Sequence, residues 1–179
     1  MNRPDNRLPH RRSLRLQGYD YSQTGAYFVT ICTQGRLCLF GGIENDEMAL
    51  NEYGNVVRDE WLRTSEIRTE IQTGEFVVMP NHFHGIVIIA EPVVGAIHES
   101  PLPSRQQRRQ MALSKIIGRF KMLTAKRINE IRQLRGVPVW QRNYYEHVIR
   151  NEADYGQIAE YIVDNPRRWE EDALHPNAG

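Results

Sequence analysis

His82 and His84 are the two residues of this 179-residue chain whose type and spacing most directly suggest chemistry. They flank Phe83 in a stretch typical of a β-strand, so both imidazoles project from one face with Cα atoms about 6.5–7 Å apart. Two neutral imidazoles at that spacing can bind one metal ion from the same side. An isolated His-x-His pair more often only fills polar positions of a half-buried sheet. The apolar strand that follows this pair favours a site.

A second set of candidate residues lies on a helix predicted over about residues 152–164. Tyr161 and Asn165 are four residues apart, so they share one side of this helix. Its apolar side is a different stripe, formed by Tyr155, Ile158 and Ile162. The Tyr161 hydroxyl is therefore expected to reach a substrate, and the Asn165 amide oxygen is a candidate third ligand beside the two histidines. An ordinary amphipathic helix with a flanking tyrosine is the alternative.

A tyrosine beside a divalent metal ion is suited to cleaving a phosphodiester bond. The phenolate attacks phosphorus in line, while the metal ion stabilises charge on the phosphate oxygens. The covalent phosphotyrosine that forms stores the bond energy for a later rejoining step, whereas hydrolysis would lose it.

The charge distribution indicates a polyanionic partner. The net charge is only +1, but residues 101–150 contain 12 Lys and Arg against two acids, and residues 1–18 contain five against one. Such asymmetry predicts one basic surface. The candidate phosphate-binding residues are Arg11, Arg12, Arg15, Arg105, Arg108, Arg109, Lys115, Arg119 and Lys126. For any one of them, simple solvation of a charged side chain is the alternative.

Composition restricts the class of protein. With 40% hydrophobic and 25% charged residues, the chain is of globular type. The longest apolar run, residues 85–90, is too short to cross a bilayer, and no apolar segment follows the N-terminal arginines. Two cysteines are too few for a disulfide framework. We therefore expect a cytoplasmic protein with no membrane segment.

The elements that must position these residues follow from hydrophobic periodicity. Strands are predicted at 26–33 and 37–40, as a hairpin across Gln34-Gly35, and at 75–90, as a pair joined at Pro80-Asn81; helices are predicted at about 56–69 and 111–134. The strand after Gly85 is apolar on both faces, which predicts a central position covered on both sides. The order of elements predicts an α+β fold of ferredoxin-like type, an antiparallel sheet with helices packed on one face.

Three stretches together resemble the HUH single-tyrosine nucleases, and in particular the REP-associated tyrosine transposases. They are Met79–His84 with its His-hydrophobic-His signature, Trp140-Gln141 together with Tyr144–Arg150, and Tyr161–Pro166, within a resemblance that runs from about residue 11 to residue 169. It implies the ferredoxin-like HUH nuclease fold and Mg²⁺- or Mn²⁺-dependent nicking and joining of single-stranded DNA, often beside a hairpin, through a 5′-phosphotyrosine. It also implies Tyr161 as the nucleophile and Asn165 as a metal ligand with His82 and His84.

Several alternatives stay open at the level of sequence. Tyr144 and Tyr145 compete with Tyr161 as nucleophiles. A non-catalytic hairpin-binding protein that keeps the fold is a second possible function, and a metal-dependent hydrolase of a small phosphoester is a third. The predicted organisation is a basic arm at residues 1–18, a nuclease domain at 19–170 and a tail at 171–179, with monomer and dimer both open.

Overall fold

A computed structural model describes residues 25–67, 71–89 and 112–178. The strands are β1 (Gly25–Cys32), β2 (Gly41–Glu44), β3 (Glu47–Leu50), β4 (Ile71–Val78), β5 (His82–Ile89) and β6 (Tyr145–Ile149). The helices are α1 (Glu52–Ile67), α2 (Ala112–Ile131) and α3 (Glu152–Asp164), with short 3₁₀ turns at Gln34–Arg36 and Trp169–Glu171. The predicted arm at residues 1–18 lies outside the described residues.

Four of the strands form an antiparallel sheet in the order β4-β5-β1-β6. The two central strands are therefore β5 and β1, as the apolar character of β5 on both faces predicts. In the register of the sheet, Thr30 of β1 lies opposite His84 of β5 on one side and opposite Tyr145 of β6 on the other. The α+β class and the antiparallel sheet expected from the sequence are confirmed.

The helices cover both faces of this sheet. On one face, α1 and α2 pack against the side chains of Tyr27, Val29, Phe83 and Val87 around the buried Trp61. On the other face, Ile162 of α3 packs in a smaller apolar cluster with residues of β1, β5 and β6. The expectation that all helices share one face is thus wrong for α3. The central strands carry apolar side chains on both faces of the sheet, and each face must be covered.

The prediction that β1 forms a hairpin with a strand at residues 37–40 is also wrong. Residues 37–39 are not in a strand, and β1 pairs with β5 and β6 instead. The local hairpin is β2–β3, which turns at Asn45 and Asp46, both with positive φ. Asparagine and aspartate tolerate that conformation better than most residues. Phe40, fully buried against Trp140, fixes the segment that leads into this hairpin.

The last two helices match their predicted positions closely. Asn151 caps α3, since its Oδ1 accepts a hydrogen bond of 2.9 Å from the backbone N–H of Asp154. Beyond α3, the chain folds back on the body of the protein, and the Asn81 amide donates to the carbonyl of Leu174 at 2.7 Å. Within the described part of the chain, no helix combines the length and apolarity needed to span a membrane.

Candidate active site

The floor of the site is the face of the sheet that carries the two histidines. The strand β5 begins at His82, directly after the Pro80-Asn81 turn, and its alternation places His82 and His84 on the α3 side. Both side chains are buried, and their ring centroids lie 4.5 Å apart. The same-face arrangement predicted from the His-Phe-His spacing is therefore confirmed.

Hydrogen bonds on the inner nitrogens fix both rings. Asn81 Oδ1 lies 2.8 Å from His82 Nδ1. Because the Asn81 amide NH₂ already donates to the carbonyl of Leu174, the Asn81 oxygen accepts a hydrogen bond from the N–H of that ring. Thr30 Oγ1 lies 2.8 Å from His84 Nδ1. In the tautomer with the proton on Nδ1, each ring keeps a free lone pair on Nε2, and this is the form of imidazole that binds a metal ion through Nε2.

The C-terminal end of α3 brings the predicted tyrosine and asparagine to the histidines. Tyr161 Oη lies 3.3 Å from His84 Nε2, and the tyrosine ring is 40% exposed toward solvent. Asn165, just after α3, is buried, and its Oδ1 atom has no hydrogen-bond partner. His82 Nε2 is likewise buried without a partner. Unpaired buried acceptors are costly, and a cation between these two atoms would satisfy both.

Asp172 is a member of the site that the sequence analysis missed. A ligand atom from each of His82, His84 and Asp172 lies within 4.8 Å of the others. The Asp172 side chain is only 5% exposed; its Oδ2 lies 3.9 Å from His82 Nε2 and accepts a 3.1 Å hydrogen bond from Asn165 Nδ2. That bond turns Asn165 Oδ1 away from the carboxylate. No sequence spacing identifies Asp172, because its position depends on the 3₁₀ turn at Trp169–Glu171.

Burial keeps both imidazoles neutral. Desolvation lowers the pKa of His82 to about 4, against the opposing effects of the Asp172 carboxylate and the Asn165 amide. Burial also lowers the pKa of His84 well below its usual value, and proximity to His82 lowers it further. Two neutral nitrogens, an amide oxygen and a carboxylate form a mixed donor set that fits a divalent cation such as Mg²⁺ or Mn²⁺.

His84, Tyr161 and Asn165 line a cleft of about 1050 Å³ between α3 and the segment that precedes β6. The residues that line it include Phe28, Tyr145, Tyr161, Arg142 and Arg168. Burial raises the pKa of Tyr161, the Asp172 carboxylate adds to this, and the Asn165 amide and the Arg168 guanidinium oppose it. The phenol is therefore protonated at neutral pH in the metal-free protein.

The competing tyrosines also line the cleft but are placed differently. Tyr144 packs against the main apolar core, and Tyr145 lies on the edge strand β6. The hydroxyl that hydrogen-bonds to His84 is that of Tyr161. His147 lies outside the cluster, 3.2 Å from the Asp154 carboxylate at the start of α3.

The predicted phosphate-binding residues do not join the histidine cluster. Lys115, Arg119 and Lys126 are on α2, which packs on the sheet face opposite the histidines. Lys126 lies 3.9 Å from the Glu130 carboxylate, and both side chains are exposed. The remaining candidates lie outside the described residues: Arg11, Arg12, Arg15, Arg105, Arg108 and Arg109.

The chain is similar in sequence to two proteins of Haemophilus influenzae. It is 44% identical over 176 residues to an uncharacterized protein of Haemophilus influenzae, covering 94% of each chain. A second Haemophilus influenzae protein, with the provisional name of REP-associated tyrosine transposase, is 26% identical over 148 residues, covering 82% of this chain and 73% of its own. No protein-family model matches.

A solved REP-associated tyrosine transposase bound to a REP hairpin aligns at a TM-score of 0.48 and 21% identity, covering 89% of this chain and 73% of that one. In the present chain, a pair of histidines on a central strand faces a tyrosine on the last helix. The chain belongs to the same family as the 44%-identical protein of Haemophilus influenzae, and it is similar in sequence to the REP-associated tyrosine transposase of that organism.

Proposed function

We propose that the protein nicks and joins single-stranded DNA beside a hairpin, with Tyr161 as the nucleophile and a divalent cation held by His82 and His84. The single observation that carries this proposal is the 3.3 Å contact between the Tyr161 hydroxyl and His84 Nε2, at a site where two further buried acceptor atoms lack partners. A nucleophile and a metal site in direct contact are what phosphoryl transfer requires.

The chain's own residues define the ligand set that we propose. His82 Nε2, His84 Nε2 and Asn165 Oδ1 are the three predicted ligand atoms, and Asp172 either joins them or orients the Asn165 amide through the bond to Nδ2. Mg²⁺ or Mn²⁺ at this position would supply positive charge close to the phosphate oxygens and the phenolate.

The proposed cleavage step balances without any further reactant. Tyr161 Oη forms a bond to phosphorus as the bond from phosphorus to the 3′-oxygen breaks. The phenol proton leaves to water in the open cleft, and the 3′-oxygen takes up a proton to become a hydroxyl. Attack of an incoming 3′-hydroxyl on the 5′-phosphotyrosine reverses these changes and restores Tyr161, which gives strand transfer and hence transposition or recombination.

Two observations support a DNA hairpin as the substrate: the distribution of basic residues and the similarity to a REP-associated tyrosine transposase. The cations Lys115 and Arg119 lie on α2, on the sheet face opposite the cleft, and would contact the phosphates of a stem while a single strand enters the cleft. The second Haemophilus influenzae relative is named for an association with REP sequences, and the motifs that this chain shares with the family imply a hairpin beside the cut. Acting on DNA also agrees with the cytoplasmic location expected from the sequence.

The experiment is cleavage of labelled hairpin DNA that carries single-stranded flanks. We expect nicking with Mg²⁺ or Mn²⁺, none with EDTA, and much slower nicking by Asn165→Ala. Salt-sensitive binding without any nicking would support the non-catalytic hairpin-binding function instead. Metal-dependent release of phosphate from a small phosphoester, with the DNA left intact, would support the hydrolase.

A further inference from the structure

The wall of the cleft opposite α3 contains an aromatic side chain that the cleavage step does not use. Tyr145 is 44% exposed, and its ring packs edge-on against Phe28 with centroids 6.3 Å apart. Phe28 packs in the same way against Tyr161, at 6.1 Å. Phe28 thus contacts two exposed tyrosine rings, one beside the metal site and the other facing the open cleft.

The sheet register sets how far Tyr145 lies from the reacting atoms. Tyr145 is paired with Thr30, which is paired with His84, so two strand spacings separate Tyr145 from the histidine. That corresponds to about 10 Å between Cα atoms. A nucleotide whose phosphate is at Tyr161 therefore has a neighbour within reach of the Tyr145 ring.

A cation lines the same cleft as this ring. The segment before β6 is anchored by Lys121, whose Nζ donates to the carbonyls of Gln141 and Arg142 at 2.6 Å and 3.0 Å. Arg142 is exposed and lines the same cleft as Tyr145. An exposed aromatic ring beside an exposed cation is the arrangement with which proteins bind single-stranded nucleic acid.

We propose that Tyr145 is a stacking platform for the unpaired nucleobase next to the scissile phosphate, with Arg142 contacting the phosphate of that nucleotide. This inference rests on the proposed function, because it assigns the path of the same DNA strand through the cleft. In this proposal Tyr145 positions the DNA strand and is not the nucleophile.

The test uses hairpin DNA with 2-aminopurine placed in turn at each position of its single-stranded flank. Stacking on an aromatic ring quenches the fluorescence of this base. Binding is measured with Mn²⁺ in the Tyr161→Phe background, which keeps the strand uncut, and is compared for Tyr145, Tyr145→Phe and Tyr145→Leu. Leucine keeps an apolar contact with Phe28 but removes the flat ring. Tyr155→Leu removes a ring outside the cleft and serves as the control.

We expect one flank position to be quenched with Tyr145 and with Tyr145→Phe, and quenching to be lost with Tyr145→Leu, along with a roughly tenfold weaker affinity. Equal quenching and affinity for all three, on a DNA with which the wild type forms its covalent adduct, would overturn the stacking role alone. If the wild type neither binds nor modifies hairpin DNA, the proposed function fails and the stacking role fails with it.

Discussion

His84 has a different neighbour at each of its two ring nitrogens. Thr30 binds Nδ1 at 2.8 Å and so holds the ring with Nε2 facing Tyr161. The chemistry of the site depends on this orientation, because only the nitrogen that lacks a proton can bind a metal ion. Threonine on the neighbouring strand therefore supports the proposed metal site without being one of its ligands.

Replacing Thr30 with valine tests this orientation. The change keeps the shape of the side chain but removes the hydroxyl, so His84 loses the partner that fixes its protonated nitrogen. We expect Mn²⁺ affinity to fall by roughly 10- to 100-fold, measured by titration calorimetry. Thr64→Val, which removes a hydroxyl bonded only within α1, is the control. Unchanged Mn²⁺ affinity in Thr30→Val would show that the threonine does not support the metal site.

The buried imidazoles also predict a pH dependence of stability. The unfolded protein binds a proton on His82 below pH 6.5, whereas the folded protein does so only below about pH 4. The free energy of unfolding should therefore fall as pH drops from 6.5 toward 4, by on the order of 3 kcal/mol for His82 alone. Urea denaturation of the metal-free protein across this range measures it.

The matched variants for this measurement are His82→Gln and His147→Gln. The first should make the pH dependence between 6.5 and 4 shallower by the contribution of His82, while the buried His84 still contributes. The second removes an exposed histidine that lies outside the histidine cluster, and it is the control. The same slope in His82→Gln as in the wild type would rule out His82 as its source.

Among the elements, β5 has the most demanding position, because it is covered on both faces. Gly85 is required there: a Cβ atom at this residue would lie 2.8 Å from Trp61 and 2.8 Å from Phe83. Both rings are fully buried and have no room to move aside. The strand that carries the histidines is thus fixed in place by the aromatic core behind it.

Gly85→Ala should destabilise the protein by about 1–3 kcal/mol, because the added methyl group overpacks this core. Denaturant unfolding of the variant measures the change. Gly42→Ala, on the exposed strand β2 with no atom near its Cβ position, should change stability by less than about 0.5 kcal/mol. If the two variants have equal stability, the close packing against Trp61 has no energetic consequence.

Elements with strong local patterns were predictable from the sequence, and those defined by distant partners were not. The two apolar faces of β5 and the stripe of α3 gave their positions directly, and with them His82, His84, Tyr161 and Asn165. The strand β6 was missed because its five residues do not alternate regularly between polar and apolar and because its identity comes from pairing with β1. Asp172 was missed because a chain reversal after α3, not a spacing rule, brings it to the histidines.

At the scale of the whole molecule, two chemically different surfaces lie on opposite faces of one sheet. The cleft with Tyr161 lies on the α3 face, and the cations of α2 lie on the other. A duplex stem on one side and a single strand on the other would require the DNA to pass around an edge of the sheet. The β6 edge, which carries Tyr145, is next to the cleft.

Removing charge from α2 tests whether that surface binds DNA. The double variant Lys115→Gln/Arg119→Gln should weaken hairpin binding and reduce the slope of log affinity against log salt by about one for each phosphate that these cations neutralise. Arg58→Gln/Arg63→Gln removes the same charge from the neighbouring helix α1 and should leave the slope unchanged. The two double variants are compared by titrating each with hairpin DNA at several salt concentrations. Equal slopes in the two variants would exclude a specific role for α2.

The most direct test of the central claim is a denaturing gel of the protein incubated with labelled hairpin DNA, with and without Mn²⁺. We predict a covalent protein–DNA adduct that requires Mn²⁺, disappears in Tyr161→Phe and persists in Tyr155→Phe, whose ring is on the same helix but hydrogen-bonds to Glu75. An adduct that survives in Tyr161→Phe would contradict the account and move the nucleophile to Tyr144 or Tyr145. Metal-dependent cleavage that leaves no adduct in the wild type would contradict phosphotyrosine chemistry altogether.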